Sequence, residues 1–490
     1  MLKCMTSKIV FIGICIICIG LAYYFPESVI EAASTLTKWF VNTYGGIVLV
    51  ICTAFLCSCI ALLLLPCRNK RIGGQHAVPQ YSTISWLTML FATGMGSGLV
   101  FYGAAEPLIH YVYTPPDLTK QSNAQALGIT YFHWAFHAWA IYAIAGLSIA
   151  YIGFAHNNAL TPAASLKQQG CVAKIVNYIA MIAIIFGIVG SLCMTILQIS
   201  DGISRQFHFA QTDQTWVKFS VLGSLCLVFI LSSCTGLRRG IKILSNINIA
   251  VALLLLSFIF FATWHISYST YITQALNEYA TMLLTHSLRI FPSNEIAAWQ
   301  QDWSITLFLW WVAWAPFVSV FIARISYGRT IKEFILGVVG APTLFSIIWF
   351  GILGTAILGD VSLQSQWSAL ADHPQQVTYH LLNSLPYSDV TIIVMLLLLF
   401  VFLVTSADSG AYVLAMFTSH SHYIPTIRSR LIWGVVLGLV TALMILGNSG
   451  INIIKSVAIL GGIPYLFIML WQLVILLHHL LTKTSPKERL

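Results

Sequence analysis

Charge is what this sequence lacks. Only 8% of its 490 residues are charged while 58% are hydrophobic, a balance that leaves too little polar surface for a soluble protein of this length. Apolar runs repeatedly exceed the ~18 to 20 residues that cross a hydrocarbon layer. The chain therefore reads as an all-α, polytopic membrane protein. It also lacks a Gly-x-x-x-x-Gly-Lys-Ser/Thr phosphate loop, a His-Glu-x-x-His pair and a Gly-x-Ser-x-Gly elbow, so ATP-driven pumping and the common hydrolase chemistries have no apparatus. None of the eleven cysteines falls in a predicted outer loop, and no pair at zinc-ligand spacing stands opposite a second such pair, so they read as small apolar packing residues. No enzyme, resident cofactor or transition metal is expected. A secondary transporter, a channel or a receptor-like scaffold remains.

Twelve candidate spans begin near Ile9, Gly46, Ile84, Gly128, Ile175, Trp216, Ile247, Ile305, Phe334, Val390, Leu431 and Ile453. The first ends in Tyr23-Tyr24-Phe25-Pro26 and not in a small-residue cleavage site, so it reads as a retained helix. With the N-terminus cytoplasmic, twelve spans put the C-terminus there too. Eighteen of the twenty-four Lys and Arg residues then fall on the cytoplasmic side, as the positive-inside rule requires. The net charge of +9 is mostly a topology signal. A nucleic-acid partner would want a basic soluble face, and none is present; the lipid bilayer is the expected partner.

Two spans carry helix breakers at depth. The third holds Gly94-Met95-Gly96-Ser97-Gly98 and the eighth holds Pro316, five spans later, so backbone hydrogen bonding should be interrupted in both. This divides the chain into two N-terminal helices with their loop (1–83), a first five-helix unit (84–270), a periplasmic linking segment with an amphipathic helix (271–300), a second five-helix unit (301–480) and a short cytoplasmic tail (481–490). Two five-helix units, each opening on a broken helix, form the pattern of an inverted-repeat transporter with its site at the midplane. Gly94 and Gly98 also fit a helix-packing Gly-x-x-x-Gly face. Three glycines in five residues exceed that need, and an unwound Met95-Gly96-Gly98 stretch would offer carbonyls to a cation and N–H groups to a carboxylate.

Aromatic residues sit where they are least expected. Trp310-Trp311-Val312-Ala313-Trp314-Ala315-Pro316-Phe317 lies about halfway along its span, whereas Trp ordinarily collects at the membrane edge. Trp134, Trp139 and Tyr142 share an arc of about 140° on the fourth span, and Trp310, Trp314, Phe317 and Phe321 share about 60° on the eighth. Two such stripes make an aromatic cage, and indole faces attract quaternary ammonium groups, which have no hydrogen bond to donate. A trimethylammonium compound is the expected substrate. His133 and His137 stand at i and i+4, but no third ligand is in view, which favours packing hydrogen bonds over a metal. Glu106 and Asp408 are intramembrane acids and so functional candidates. Glu106 reads equally as a local anchor, and Asp408 as the ion-pair partner of a cytoplasmic-side arginine such as Arg324.

A channel would want a continuous polar pore with charged rings, and an enzyme a nucleophile with its base; neither is visible. A transport-inactive sensor of the same ligand stays open.

These residues resemble the betaine/carnitine/choline transporters over essentially all twelve spans. The likeness is carried by Gly94 to Gly103 with Ala105-Glu106-Pro107, by His133-Trp134 to Tyr142, by Trp310 to Arg329, and by Val404-Thr405-Ser406-Ala407-Asp408-Ser409-Gly410. The resemblance implies a leucine-transporter-type five-plus-five inverted repeat preceded by two extra helices, assembled as a homotrimer in a bacterial inner membrane. It places the aromatic cage on Trp134, Trp139, Tyr142 and Trp311 with Trp314 beside it, and Phe317 and Phe321 on the cytoplasmic exit path. It places a sodium ion between the carbonyls of Ala92 and Met95 and the hydroxyls of Thr405 and Ser406. Sodium-independent exchangers of the family carry Met at the place of Val318, so a sodium symporter is expected ahead of a carnitine/betaine exchanger.

The chain departs from the family's pattern in three places. Phe186-Gly187-Ile188-Val189-Gly190-Ser191 is poor in the threonines of a second sodium site. Ala138 stands where a proline is usual, which should let that helix run straighter. About ten residues follow the last span, where osmotically regulated relatives carry a long basic domain, so transport without that control is expected. Choline-specific relatives tend to have Asp at the place of Gly98; without it, a zwitterion that brings its own carboxylate, glycine betaine first, is expected ahead of choline.

Overall fold

A computed structural model describes residues 24–94, 96–114, 122–155, 160–209, 214–235, 238–290, 295–418, 425–446 and 451–482. The first expected span, the last eight residues and Met95 lie outside the described residues. Among those described, all regular structure is helical apart from one isolated β-bridge, Arg71 with Thr330. Among the described residues, nine helices are long and apolar enough to cross a membrane.

The long helix α1 (Pro26–Leu64) is followed by a third span in two pieces, α2 (Thr83–Gly94) and α3 (Ser97–Val112). The fourth span is also in two pieces, α4 (Asn123–Trp134) and α5 (Phe136–Ala155). Then come α6 (Gly170–Gln206), α7 (Gln214–Thr235), α8 (Arg238–Ala262) and a linking helix α9 (Tyr268–Thr285). The eighth span enters through one wide π-type turn, Gln301–Ile305, into α10 (Thr306–Ile325), and the ninth contains α11 (Ala341–Gly359). After α12 (Pro374–Asn383) follow α13 (Ser388–Thr418), α14 (Ile427–Leu446), α15 (Ile451–Leu460) and α16 (Gly462–Thr482).

Burial separates centre from edge. The most apolar window of the eighth span is 94% buried and those of the fourth and fifth 83%, against 33% for α7 and α14. The Trp-rich spans therefore form the middle of the molecule, and the sixth and eleventh spans turn most of their surface outward to lipid.

Two expectations about helix continuity need correction. Pro316 does not break the eighth span: α10 continues through it from Thr306 to Ile325. Proline forfeits one donor, and close packing on every side holds the remaining turns. The fourth span, by contrast, does not run straighter for having Ala138. It is interrupted three residues earlier, at Ala135, whose φ and ψ are −104° and −125°. The hydroxyl of Tyr279, from the linking helix α9, accepts from the Phe136 N–H at 3.1 Å, so the interruption leaves that donor satisfied inside the membrane. A third interruption falls at Gly461 in the twelfth span. A Cβ there would stand 2.9 Å from the Phe186 ring, and one at Gly462 2.6 Å from the Leu309 carbonyl, so the glycine pair lets this span press on the fifth and eighth.

Contacts between loops test which ends share a side. Lys70 Nζ donates to the Leu480 carbonyl at 3.0 Å, Lys167 Nζ lies 2.5 Å from His479 Nε2, and Ile72 exchanges backbone hydrogen bonds with Gly328 and Arg329. The loops after the second, fourth and eighth spans thus meet the end of the twelfth on one side. Gly328 has φ +79°, and a Cβ there would lie 2.2 Å from the Val78 carbonyl carbon, so only glycine fits this clasp. On the other side Tyr113 donates to Asp372, and Arg205 Nη1 approaches His380 at 3.2 Å. Lys70, Arg71, Lys167 and Arg329 thus share one side of the molecule.

Candidate functional site

The central cavity, about 50 Å³, is lined by Gly96, Gly98, Trp134, Tyr142, Trp311 and Trp314, together with Leu99, Ser191, Leu307 and Trp310. Its walls come from α3, from both pieces of the fourth span, from α6 and from α10.

The aromatic walls meet like the sides of a box. The Trp311 ring centroid lies 5.4 Å from that of Trp134, 5.5 Å from Trp139 and 5.0 Å from Tyr142, with interplanar angles of 76°, 60° and 60°. Steeply inclined neighbours leave the angle between their faces open to a cation. Trp134 ends one helix of the fourth span, and Tyr142 lies in the next, which begins at Phe136.

Three of the indoles are tethered by their N–H groups. Trp134 Nε1 donates to Glu106 Oε2 at 2.6 Å, Trp314 to the Gly187 carbonyl at 3.0 Å, and Trp139 to Ser346 Oγ at 3.3 Å. Among the described residues the Trp311 N–H makes no hydrogen bond, and its ring packs against those of Trp134, Trp139 and Tyr142.

The glycine segment faces this box. Gly96 is extended, with φ −91° and ψ −179°, a conformation open to any residue, and α3 starts immediately after it with no side-chain cap. What glycine supplies is room: a Cβ on Gly96 would lie 3.4 Å from Trp314 Cη2, and one on Gly98 3.5 Å from Trp134 Cη2. The uncapped first turn of α3 thus brings backbone N–H groups and the positive end of its dipole to the cavity. Gly187 serves the opposite wall, since a Cβ there would stand 3.1 Å from Trp314 Cδ1.

Of the residues expected in the cage, Trp139 is drawn back. It is 1% exposed and packs against the Trp311 and Tyr142 rings without lining the cavity. Trp310, known from its stripe but not expected in the cage, and Ser191 do line it. Phe317 packs edge-on against Trp314 at 5.7 Å, and Phe321 is half-buried one turn further along α10. Thr405 and Ser406 are half-buried midway along α13, where the Thr405 hydroxyl donates to the carbonyls of Val401 and Phe402 at 2.9 and 3.1 Å. Ala92 falls in the last turn of α2, and Met95 is outside the described residues.

Asp408 pairs with Arg430, at 2.7 Å, and not with Arg324, which donates instead to the Tyr412 hydroxyl at 3.1 Å. The two histidines diverge. His133 Nδ1 lies 2.7 Å from Glu106 Oε1 and its Nε2 2.9 Å from Ser304 Oγ, whereas His137 Nε2 faces Thr53 Oγ1 at 3.4 Å. Glu106, His110 and His133 have ligand atoms within 4.8 Å of one another. Both Glu106 oxygens already accept hydrogen bonds, and the Lys455 ammonium sits 4.3 Å over Trp303, whose ring adjoins His110. A dication would have to displace the first and face the second.

Known proteins share this sequence pattern. A family model described as BCCT, betaine/carnitine/choline family transporter, matches residues 8–485. The chain is 33% identical to the glycine betaine transporter OpuD of Bacillus subtilis over 455 residues, covering 91% of this chain and 88% of the relative. It is 35% identical to a glycine betaine transporter of Acinetobacter baylyi over 471 residues, 92% of this chain and 69% of the relative. An ectoine/hydroxyectoine transporter of Virgibacillus pantothenticus is 31% identical over 437 residues, 87% of this chain and 86% of the relative.

Proposed function

Since the chain belongs to the betaine/carnitine/choline transporter family, we propose that this multi-pass membrane transporter imports glycine betaine by sodium symport. One observation carries the substrate: the uncapped start of α3 at Gly96 and the indole walls of Trp134, Trp311 and Trp314 line the same cavity. A zwitterion with a trimethylammonium head and a carboxylate one methylene away answers both, the head against the aromatic faces and the carboxylate at the helix start. Choline would satisfy only the first. Two of the relatives above carry glycine betaine in their names.

Sodium is a hard cation that wants oxygen ligands. A helix that stops at Gly94 leaves its last carbonyls, that of Ala92 among them, without partners within the helix. Thr405 on α13 would complete the shell by turning its hydroxyl from the Val401 and Phe402 carbonyls towards the ion, together with the hydroxyl of Ser406. Orientation follows from the charges: the side that gathers Lys70, Arg71, Lys167 and Arg329 is cytoplasmic in a bacterial inner membrane, with both termini there. A homotrimer is the assembly the family resemblance supports.

The test is uptake of labelled glycine betaine into proteoliposomes with and without an inward sodium gradient. Accumulation that requires the gradient is expected. Equal exchange without sodium would make the protein an exchanger, and no flux with any trimethylammonium compound would remove the transport reading.

A further inference from the structure

We infer that Glu106 is a positioning residue for the substrate, holding the Trp134 wall of the cage in place. The inference rests on the reading of Trp134 as a cage wall. Glu106 lies in α3 and is 0% exposed, and a carboxylate at that depth is costly unless its oxygens are occupied. Both are occupied by neighbouring residues of the fourth span: Oε2 accepts from Trp134 Nε1 at 2.6 Å, and Oε1 lies 2.7 Å from His133 Nδ1. Of the three tethered indoles, Trp134 alone is held by a charged acceptor, and charge-assisted hydrogen bonds are about twice as strong as neutral ones.

Trp134 needs such a hold. It is the last residue of α4, before the interruption at Ala135, so the regular turns of a continuing helix do not fix it. The tie runs back to α3, the helix whose first turn carries Gly98, and Gly98 is the glycine that faces the Trp134 ring. With Nδ1 donating to Glu106, His133 is the tautomer whose Nε2 accepts from Ser304 at 2.9 Å, which brings in the turn leading to α10. A single carboxylate therefore sets the register between three cage-bearing spans. His110, one turn along α3, brings its Nε2 to 3.4 Å from Glu106 Oε1, the oxygen that His133 Nδ1 meets at 2.7 Å.

The experiment is a double-mutant cycle on the full-length protein, with equilibrium binding of labelled glycine betaine as readout. Glu106→Gln and Trp134→Phe should each weaken binding ~10-fold, and the double variant should also lose ~10-fold and not ~100-fold, because the phenylalanine has no N–H left to hold. In proteoliposomes the Glu106→Gln loss should appear in KM, with the maximal rate within about twofold of the parent. Multiplying losses, or an unweakened Glu106→Gln, would overturn the inference. Should the glutamine variant fail to fold, Glu106→Asp, one methylene short of Trp134, takes its place in the cycle with the same expectation. Trp134→Leu separates the two readings. If it binds glycine betaine as the parent does, the cage assignment fails and the inference with it; if it loses binding while the cycle multiplies, the inference alone fails.

Discussion

The third and eighth spans each carry helix breakers at mid-membrane and respond differently. Glycines end one helix at Gly94 and allow another to begin at Ser97, whereas α10 passes Pro316 without interruption. Proline removes a single N–H and is tolerated where neighbours confine the helix. A run of glycines removes side chains altogether, lowering helix propensity and letting other groups approach the backbone. The two responses suit different tasks. The broken span offers backbone polarity to the cavity, and the unbroken one offers a rigid wall of indoles.

Removing the unbroken wall should have the largest effect. Trp311→Leu is expected to weaken glycine betaine binding by about 2 kcal/mol, ~30-fold, through loss of a desolvated cation–π face, with membrane expression close to that of the parent. Equal losses of expression and binding would make Trp311 a packing residue. On the broken side the expected ion ligand comes next. Thr405→Ala should raise the sodium concentration for half-maximal uptake roughly tenfold, the cost of one hydrogen-bond-class ligand to a charged group, while glycine betaine affinity at saturating sodium changes little.

Smaller effects sharpen the contrast. Gly98→Ala adds a Cβ at ordinary contact distance from Trp134, so binding should fall less than about fivefold, while Gly98→Leu should fill the cavity and abolish it; ligand-binding assays on both variants decide. Pro316→Ala should be smallest of all. Because α10 is already continuous, regaining one backbone donor should shift thermal stability by about 1 kcal/mol or less and leave transport near the parental rate. A transport-dead Pro316→Ala would show that the unbroken span depends on its proline after all.

These differences also mark what could be read from the sequence. Trp134, Trp311 and Trp314 stood out because tryptophan at mid-depth is out of place in a membrane helix, and with Tyr142 they line one cavity; the shared side of the loops after the second, fourth and eighth spans was foreshadowed by their Lys and Arg. The interruption at Ala135 was not legible: its freed N–H is met by Tyr279, more than a hundred residues away. Nor was the pairing of Asp408 with Arg430, since helix-to-helix registry chooses between Arg324 and Arg430 and neither spacing announces it. Trp139 belonged to the same arc as Tyr142, but angular position says nothing about whether a ring reaches the cavity. Glu106 was visible as an intramembrane acid, while its hold on Trp134 required two spans to be set side by side.

The most direct measurement compares the affinities of the purified protein for glycine betaine, for choline, and for 3,3-dimethylbutyrate, which keeps the shape and the carboxylate of glycine betaine but has carbon in place of the cationic nitrogen. A cavity that joins indole faces to a helix start should bind glycine betaine at least ~10-fold more tightly than either of the others. Equal affinity for 3,3-dimethylbutyrate would contradict the account, because the tryptophans would then be only a hydrophobic slot.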